Sequence, residues 1–409
     1  MSKKIYALLL AAVMVLSVFA FAGCNETTEN SSEAGGEETN DFKVGFIFLH
    51  DENSTYDKNF MDAAREAQTA LGLTDEQVIF KVNIPESSAC YDAACELVDA
   101  GCDLIFADSF GHEAFIFQAA QEFPEVQFCH ATGTSAHVKK LANFHNAFAS
   151  IYEGRYVAGI AAGMKLNEMI AAGKITAEQA VIGYVGAFDY AEVVSGMTSF
   201  FLGARSVCES ATMKVKYTNS WFDIALEREA ALALIDSGCV LISQHADSEG
   251  APKACEERKI PNVAYNISTI SMGPTTAIIS SKIDWTPYFK LIIEKTKSGK
   301  GNEIPFDWCG GFNEGSVKVT ELNTAVAAEG TQAALDKAIA DFKAGTLKVF
   351  DTSKFTVNGE TLTEYLADVD GDFTGETNVI HDGFFDESAK DQRSAPYFDI
   401  KYIDGISAL

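Results

Sequence analysis

The feature that most constrains this chain is an internal repeat at a nearly constant offset. Segment 234–242, Leu-Ile-Asp-Ser-Gly-Cys-Val-Leu-Ile, matches segment 97–105, Leu-Val-Asp-Ala-Gly-Cys-Asp-Leu-Ile. Segment 261–265, Pro-Asn-Val-Ala-Tyr, matches segment 124–128, Pro-Glu-Val-Gln-Phe, at the same offset, and Gly183 follows Gly45 at an offset only one position longer. Three matches at nearly one offset predict two similar lobes within residues 42–270.

Each half of the repeat alternates short apolar runs with segments of helical period. Val44–Leu49, Val78–Val82 and Cys102–Ala107 are typical of buried strands. The helical segments between them end at Gly72 and Gly101, a residue type that adopts the left-handed backbone after a helix without steric cost. Repeated strand–helix units predict an α/β fold with a parallel, doubly wound sheet in each lobe.

Loops that follow corresponding strands are expected to meet in a cleft between the lobes, because open parallel sheets bind ligands at the carboxyl ends of their strands. Loop 108–111 should face loop 245–248, and loop 51–56 should face loop 188–192. Residues 152–164, rich in glycine and alanine, predict a closely packed helix that leads into the hinge.

Aromatic and carboxylate side chains collect in these loops, and such side chains stack on a planar heterocycle or accept hydrogen bonds from a sugar or an amine. Asp223 has an alternative role as the N-cap of the following helix. Trp285 also precedes a helix, in which Pro287 suits an early position. The candidate ligand-binding residues are Tyr56, Asp108, Ser109, Phe110, Trp221, Asp223, His245, Asp247 and Trp285.

The N-terminal segment predicts export and lipid anchoring. Lys3 and Lys4 precede an apolar run, and Phe21-Ala-Gly-Cys24 resembles the cleavage site of a bacterial lipoprotein, in which the cysteine is acylated. Phe21 replaces the usual leucine, and an ordinary secretory signal is the alternative. Residues 24–41 are polar and predict a flexible tether, so we expect a location at the extracytoplasmic face of the cell membrane.

The net charge and the absence of several motifs argue against certain partners and kinds of chemistry. With 31 Lys and Arg against 58 Asp and Glu, the net charge of −27 argues against nucleic acid or an anionic membrane surface. The serine-hydrolase elbow, zinc-protease and P-loop motifs are absent from the sequence. Asp368–Asp372 suggests a calcium loop, but Gly371 is at the fourth position instead of the sixth, and Val379 is at the twelfth. We therefore predict neither an enzyme nor a bound cofactor or metal.

The last part of the chain, rich in Asp, Gly, Thr and aromatic residues, predicts extra strands and turns that pack against a lobe. The predicted organisation is a signal peptide (1–23), a tether (24–41), and a binding domain (42–409) comprising lobe 1 (about 42–150), lobe 2 (about 180–270), later segments that cross back, and an extension (about 347–409).

Several motifs resemble one family across nearly the whole mature chain: the basic membrane protein (BMP, PnrA-like) lipoproteins, which are substrate-binding components of ABC transporters for purine nucleosides or nucleobases. These motifs are Gly101–Gly111, Trp221–Ala231, Gln244–Ser248, Trp308–Gly315 and Arg393–Ile400.

The resemblance implies a type I periplasmic-binding-protein fold and a hinged cleft in which aromatic side chains sandwich a purine. By motif, Tyr56 stands at the aromatic position of the first loop, Trp221 at the middle aromatic position, and Asp247 at the acid of the second lobe. The first loop, Asp51–Tyr56, departs from commoner versions, so the choice between base and nucleoside stays open.

We therefore expect a lipid-anchored protein that delivers a purine nucleoside or nucleobase to an ABC permease and its ATPase. Three alternatives remain open at this point. They are a ligand sensor that feeds a signalling receptor, a binder of a sugar, and a nucleoside hydrolase.

Overall fold

Two β-sheets form the framework of residues 42–409, the part of the chain that the computed structural model describes. The predicted signal peptide, Cys24 and the tether lie outside the described residues. The first five strands form most of the sheet of lobe 1, and every neighbouring pair among them is parallel. They are β1 (Val44–Ile47), β2 (Val78–Lys81), β3 (Leu104–Ala107), β4 (Gln127–Ala131) and β5 (Phe144–Ala149).

The next five strands form the sheet of lobe 2 and are also parallel to their neighbours. The order β2-β1-β3-β4-β5 in lobe 1 has the same form as the order in lobe 2, in which the second strand again lies outside the first. The repeat in the sequence is therefore a repeat of structure. The strands of lobe 2 are β6 (Val181–Gly186), β7 (Thr212–Tyr217), β8 (Leu241–His245), β9 (Asn262–Tyr265) and β10 (Ala277–Ile283).

Later strands extend both sheets. Strand β11 (Asp307–Gly310) joins lobe 1 parallel to β5, and β12 (Val317–Val319) joins lobe 2 antiparallel to β10. Four short strands form hairpins in the extension, and the last strand pairs in parallel with β7. These five strands are β13 (Leu366–Ala367), β14 (Thr377–Asn378), β15 (Ile380–His381), β16 (Phe384–Phe385) and β17 (Ile406–Ala408).

Helices connect the strands within each lobe, as the alternating pattern predicts. No helix in the described part of the chain is long and apolar enough to cross a membrane. The α-helices of residues 42–409 are α1 (Thr55–Ala70), α2 (Ser88–Asp99), α3 (Glu113–Glu122), α4 (Ala136–Lys139), α5 (Ile151–Ala171), α6 (Ala191–Arg205), α7 (Ile224–Asp236), α8 (Gly250–Arg258), α9 (Thr286–Lys297) and α10 (Thr331–Lys343).

Matched glycines have the same packing role in both lobes. A Cβ atom on Gly45 would lie 2.7 Å from a methyl carbon of Leu97, and a Cβ atom on Gly183 would lie 3.0 Å from Leu234. Leu97 and Leu234 are themselves matched positions of the repeat. In each lobe, the glycine of the first strand thus leaves room for the helix that packs on that strand. This packing explains why both halves of the repeat have glycine at this position.

Helices α5 and α6 pack with their backbones in close contact. A Cβ atom on Gly159 would lie 2.0 Å from the carbonyl oxygen of Phe200, and one on Gly163 would lie 2.3 Å from that of Ala204. The small residues of α5 therefore serve close helix packing, as the sequence predicts.

The chain crosses between the lobes at three neighbouring points, which form the hinge: between β5 and α5, between β10 and α9, and between β11 and β12. The amide of Ser150 donates to the carbonyl of Gly310 (3.0 Å), and the amide of Asp284 donates to the carbonyl of Ser316 (2.7 Å). Asp284 also forms an ion pair with Lys318. Two α/β lobes with this triple crossing confirm the predicted type I periplasmic-binding-protein fold.

The extension contacts both lobes, whereas the sequence predicts packing against one. The amide and hydroxyl of Ser394 donate to the Asp307 carboxylate of lobe 1, at 2.7 and 2.8 Å. Glu387 accepts a hydrogen bond from Ser195 on α6 of lobe 2, where β17 also pairs with β7. The extension therefore ties the two lobes together outside the hinge.

Candidate ligand-binding site

A cavity of about 360 Å³ lies between the lobes, at the carboxyl ends of the strands. This volume counts all empty space, including the part open to solvent, and only about 20 Å³ of it can hold the centre of a water molecule. All four loops that we expected to meet contribute to it. The lining residues are Leu49, His50, Tyr56, Asp57, Ser109, Phe110, Thr132, Glu192, Trp221, His245 and Asp247.

The lobes touch directly at one edge of the cavity, so the cleft is closed. The backbone amide of Thr55 donates to the carbonyl oxygen of Asp247 over 2.7 Å, and the Thr55 hydroxyl donates to the same oxygen over 3.1 Å. Thr55 is the first residue of α1, whose unpaired amides favour an acceptor at this point. The first turn of α1 therefore holds the loop after β8.

Aromatic rings close the mouth of the cleft. Phe110 of lobe 1 lies 5.8 Å from Tyr190 of lobe 2, measured between ring centroids. Tyr190 stacks on Phe188 at 4.9 Å, and Phe188 contacts the edge of Trp221 at 4.9 Å. We call these four residues the aromatic cap. Phe110 and Trp221 line the cavity, whereas Phe188 and Tyr190 support them from outside.

Tyr56 provides an aromatic wall on the lobe 1 side. It lies on the second position of α1, and its hydroxyl donates to the carbonyl oxygen of Asp108 over 2.9 Å. Its ring packs edge-on against Phe60, with 4.8 Å between the centroids. This support from two sides holds the ring in a single orientation toward the cavity.

Acidic groups supply most of the charge of the cavity. Burial raises the pKa of Asp247 well above its usual value, and the nearby Glu227 adds repulsion. Asn266 donates to one Asp247 oxygen over 3.2 Å. Burial also raises the pKa of Glu192 to about 7, although the positive charge of Arg155 opposes the shift. Near neutral pH the cavity therefore contains carboxyl groups that can donate as well as accept.

Asp57 lines the cavity as an ionised carboxylate. Burial tends to raise its pKa, but hydrogen bonds from the side chains of His50 and Ser54, and from the His50 amide, lower it below the usual value. The amide of His50 lies 2.8 Å from the carboxylate. Asp57 is thus the fixed negative charge on the lobe 1 side.

Three predicted site residues do not line the cavity, and the first of them is Asp108. It is fully buried beneath the cavity, where one carboxylate oxygen accepts from the Leu49 amide (3.1 Å). Burial, together with repulsion from Asp57, raises the pKa of Asp108 well above its usual value, which favours the protonated carboxyl group. In this structure Asp247 lines the cavity from lobe 2, and Asp57 instead of Asp108 lines it from lobe 1.

Asp223 and Trp285, the other two, have structural roles instead. The Asp223 carboxylate caps α7 by accepting from the amides of Ala225 and Leu226, each at 2.9 Å. Trp285 is 1% exposed and stacks on Phe60 in the core of lobe 1, with 4.4 Å between the rings. Trp285 lies within the second hinge crossing, between β10 and α9, and its indole packs in lobe 1.

Sequence reasoning missed several lining residues. His50 and Asp57 flank the predicted loop 51–56, so extending that loop by one residue at each end would have included both. Glu192, which ends the predicted loop 188–192, lies on the first turn of α6 and lines the cavity. Thr132 follows β4, whose loop received no functional prediction.

A cluster of carboxylates lies in the extension. Each of its members places one oxygen within 4.8 Å of the others, and none of them lines the cavity. Asp368 already accepts from the amides of Gly371 and Phe373. The members of the cluster are Asp368, Asp370, Asp372 and Glu376.

Comparison with known proteins decides the family. A family model described as ABC transporter substrate-binding protein PnrA-like matches residues 47–344, most of the chain. This chain belongs to the PnrA-like family. The predicted resemblance is therefore confirmed, and the family is one of extracytoplasmic proteins that bind a small ligand for an ABC permease and its ATPase. The match begins at the end of β1 and ends just after α10, so the extension and β17 lie beyond it.

Relatives of this PnrA-like protein have different described ligands. A purine-binding protein of Brucella abortus is 32% identical over 326 residues, covering 78% of this chain and 87% of that protein. A putative ABC transporter glucose-binding protein of Haloferax volcanii is 31% identical over 313 residues, covering 74% and 72%. The solved structure of an ABC transporter solute-binding protein from Aeropyrum pernix shares the fold, with a TM-score of 0.62 at 16% identity over 76% of this chain and 93% of that one.

Proposed function

We propose that this PnrA-like protein binds a purine nucleoside or nucleobase in the cavity between its lobes. The observation that carries the proposal is the lining of a closed cavity by aromatic rings on both sides, with Tyr56 and Phe110 from lobe 1 and Trp221 from lobe 2. A planar heterocycle gains stacking energy of about 1–3 kcal/mol per base from such rings. The relative from Brucella abortus, named for purine binding, supports the same ligand class.

The charge of the cavity favours an uncharged ligand rich in hydrogen-bond donors. Asp57, Glu192 and Asp247 line it, and neither lysine nor arginine is among its lining residues. A phosphate group would face the ionised Asp57 carboxylate without a counter-charge from a lining lysine or arginine, which is costly in a buried site. Exocyclic amines and ribose hydroxyls suit the same carboxylates. We therefore expect nucleosides and bases to bind, and nucleotides to be rejected.

We also propose that Cys24 carries a lipid anchor, on the basis of the lipoprotein-like cleavage motif at residues 21–24. The protein would then present its ligand to the permease at the membrane surface. A Cys24→Ser variant expressed in the native host should leave the membrane fraction and appear in the soluble extracytoplasmic or secreted fraction. Retention of that variant in the membrane would contradict lipid anchoring at this residue.

Isothermal titration calorimetry with the mature protein tests the ligand class. We would titrate adenosine, guanosine, inosine, adenine, hypoxanthine, guanosine monophosphate and glucose after removing co-purified ligand by unfolding and refolding. We expect micromolar or tighter binding of at least one nucleoside or base, and no binding of the monophosphate. Binding of glucose alone would instead favour the sugar-binding alternative, to which the relative from Haloferax volcanii points.

Chromatography of the same incubations tests hydrolysis. A pure binding protein returns each nucleoside unchanged, whereas a nucleoside hydrolase releases free base. Release of base at a rate that depends on protein concentration would sink the proposal that this chain only binds.

A further inference from the structure

Arg155 on α5 is fully buried but poorly partnered. One guanidinium nitrogen, Nη1, donates to the carbonyl oxygen of Gln244 over 2.9 Å. The other two nitrogens, Nε and Nη2, have no hydrogen-bond partner, and no acidic group of residues 42–409 forms an ion pair with this arginine. A buried charge is costly unless it is paired, so its place in the fold requires a specific reason.

The guanidinium lies beside the inner edge of His245. Both groups pack on the ring of Tyr265, at 3.6 Å for Arg155 and 4.8 Å for His245. The point where a Cβ atom on Gly196 would stand is 2.7 Å from His245 Nδ1 and 3.3 Å from Arg155 Nε. These two nitrogens therefore border one small space, which exists because residue 196 has no side chain.

The outer edge of His245 faces the cavity. Its Nε2 atom lies 3.6 Å from a carboxylate oxygen of Glu192, and neither ring nitrogen has a hydrogen-bond partner. Burial and the positive charge of Arg155 lower the pKa of His245 well below its usual value, which favours the neutral ring. A neutral imidazole has one N–H donor and one lone pair, and its surroundings decide which nitrogen has which.

Arg155 can only donate hydrogen bonds. His245 Nδ1 faces Arg155, directly or through one water molecule, so Nδ1 is favoured as the nitrogen with the lone pair. The ring proton then resides on Nε2. We propose that Arg155 is a positioning residue that holds His245 as its Nε2–H tautomer, so that His245 offers a hydrogen-bond donor to an acceptor atom of the bound ligand. A ring nitrogen or carbonyl oxygen of a purine would supply that acceptor, and this last step rests on the proposed function.

The tautomer is measurable without any ligand. In long-range ¹H–¹⁵N correlation spectra of protein labelled at the histidine ring nitrogens, we expect the His245 ring to show a protonated Nε2 and an unprotonated Nδ1. A His245→Asn variant identifies its signals among the histidines. An unliganded wild-type spectrum with a protonated Nδ1, or with an imidazolium ring, would overturn the proposal.

Matched variants show whether Arg155 or Glu192 determines the tautomer of His245. Arg155→Lys keeps a buried donor and should keep the Nε2–H tautomer, whereas Arg155→Met should produce a mixture of tautomers. Glu192→Leu removes the acceptor near Nε2 and should leave the tautomer unchanged. If Glu192→Leu changes the tautomer and Arg155→Met does not, Glu192 and not Arg155 controls the ring. If Arg155→Met fails to fold, the wild-type, Arg155→Lys and Glu192→Leu spectra still decide.

Affinity measurements test whether the tautomer of His245 matters for ligand binding. For whichever of adenosine, guanosine, adenine or hypoxanthine the wild-type protein binds, Arg155→Met should weaken binding about tenfold, the loss of one well-placed hydrogen bond, and Arg155→Lys should weaken it less. Equal affinity of both variants and the wild type would refute the link between His245 and the ligand. Absence of any purine binding by the wild-type protein would refute the proposed function and leave the tautomer measurement valid.

Discussion

The amide of Thr55 in lobe 1 donates to the carbonyl oxygen of Asp247 in lobe 2 over 2.7 Å, and the Thr55 hydroxyl adds a second bond to the same oxygen. This contact joins the start of the first helix to the polar loop after β8. Because the two residues belong to different lobes, the contact exists only while the cleft is closed. It should therefore influence how long a ligand is retained more than which ligand is chosen.

Thr55→Val tests this contact. Valine keeps the shape of threonine but removes the hydroxyl, which contributes about 1 kcal/mol as a hydrogen bond. We expect ligand release to become about fivefold faster in stopped-flow experiments, with little change in the melting temperature. Thr55→Ser, which keeps the hydroxyl, is the matched control. An unchanged release rate in the valine variant would show that the side-chain bond does not stabilise the closed state.

The aromatic cap should act on release in the same way. Tyr190 contacts Phe110 across the mouth but does not line the cavity. Tyr190→Ala should accelerate release about fivefold, since aromatic pairs contribute about 1 kcal/mol, and the order of preference among ligands should be unchanged. Tyr190→Phe retains the ring and should behave like the wild type. A reordered ligand preference would mean that Tyr190 touches the ligand itself.

Trp221 and Trp285 should respond oppositely to truncation. Trp221→Ala removes a wall of the cavity, so binding should weaken by about fivefold or more, as the loss of about 1–3 kcal/mol of stacking implies, while thermal unfolding stays cooperative. Trp285→Ala opens a void in the core of lobe 1 and should cost about 3–5 kcal/mol of unfolding free energy without changing the affinity of the folded fraction. Denaturant titration and calorimetry on both variants check the contrast. Weaker binding in Trp285→Ala, together with lower stability in Trp221→Ala, would indicate that Trp285 contacts the ligand.

Asp223→Ala should lower the unfolding free energy by about 1 kcal/mol, because the alanine cannot cap α7. Ligand affinity should not change, since the carboxylate does not line the cavity. Asp223→Ser preserves a capping oxygen and should recover most of the lost stability. A drop in affinity in the alanine variant, without a drop in stability, would contradict the capping role.

Four buried glutamates should each contribute less stability as the pH rises through weakly acidic values. Burial raises the pKa of Glu387 from 4.5 to about 7. A carboxyl group with a higher pKa in the folded protein binds its proton more tightly there, so the contribution of Glu387 to the unfolding free energy falls between pH 4.5 and pH 7. Glu153, Glu192 and Glu227 show the same upward shift to about 7.

Glu387→Gln isolates one of these groups. Glutamine mimics the protonated acid, so the variant should lose less stability than the wild type between pH 5 and pH 7.5, as measured by urea unfolding at both values. Glu387 accepts from the Ser195 hydroxyl and from the Phe398 amide on separate oxygens. Glutamine can keep both partners, because its oxygen can accept from the Phe398 amide while its NH2 group donates to the Ser195 hydroxyl. An unchanged pH dependence would show that Glu387 is ionised throughout this range.

The sequence predicts the fold of this protein well because the repeated residues mark where strands and helices begin, end and pack on each other. Gly45 and Gly183 mark first strands, and the segments around Gly101 and Gly238 mark helix ends before third strands, so strand order and cleft loops follow from general rules. The late strands β11 and β17 escape such reasoning. Each pairs with a strand that lies far earlier in the chain, and no local pattern carries that information.

The candidate site is predictable loop by loop but not side chain by side chain. Strand ends identify which loops reach the cavity, and six of the nine candidate residues line it. The direction of each side chain depends on local hydrogen bonds, as when the Leu49 amide turns the Asp108 carboxylate inward and leaves Asp57 facing the cavity. Arg155 lies near the start of the small-residue helix α5, and the sequence pattern there does not indicate a role beside His245.

The threading of late segments into both sheets has a consequence for biosynthesis. Lobe 1 lacks its edge strand until residues 307–310 are made, and lobe 2 receives β17 only from the last residues of the chain. A nascent chain that has emerged as far as the end of lobe 2 therefore has two incomplete sheets with open edges, which are prone to association. Both sheets are complete only once β11 and β17 are present, so deletion of residues 301–409 should leave an open edge strand in each lobe.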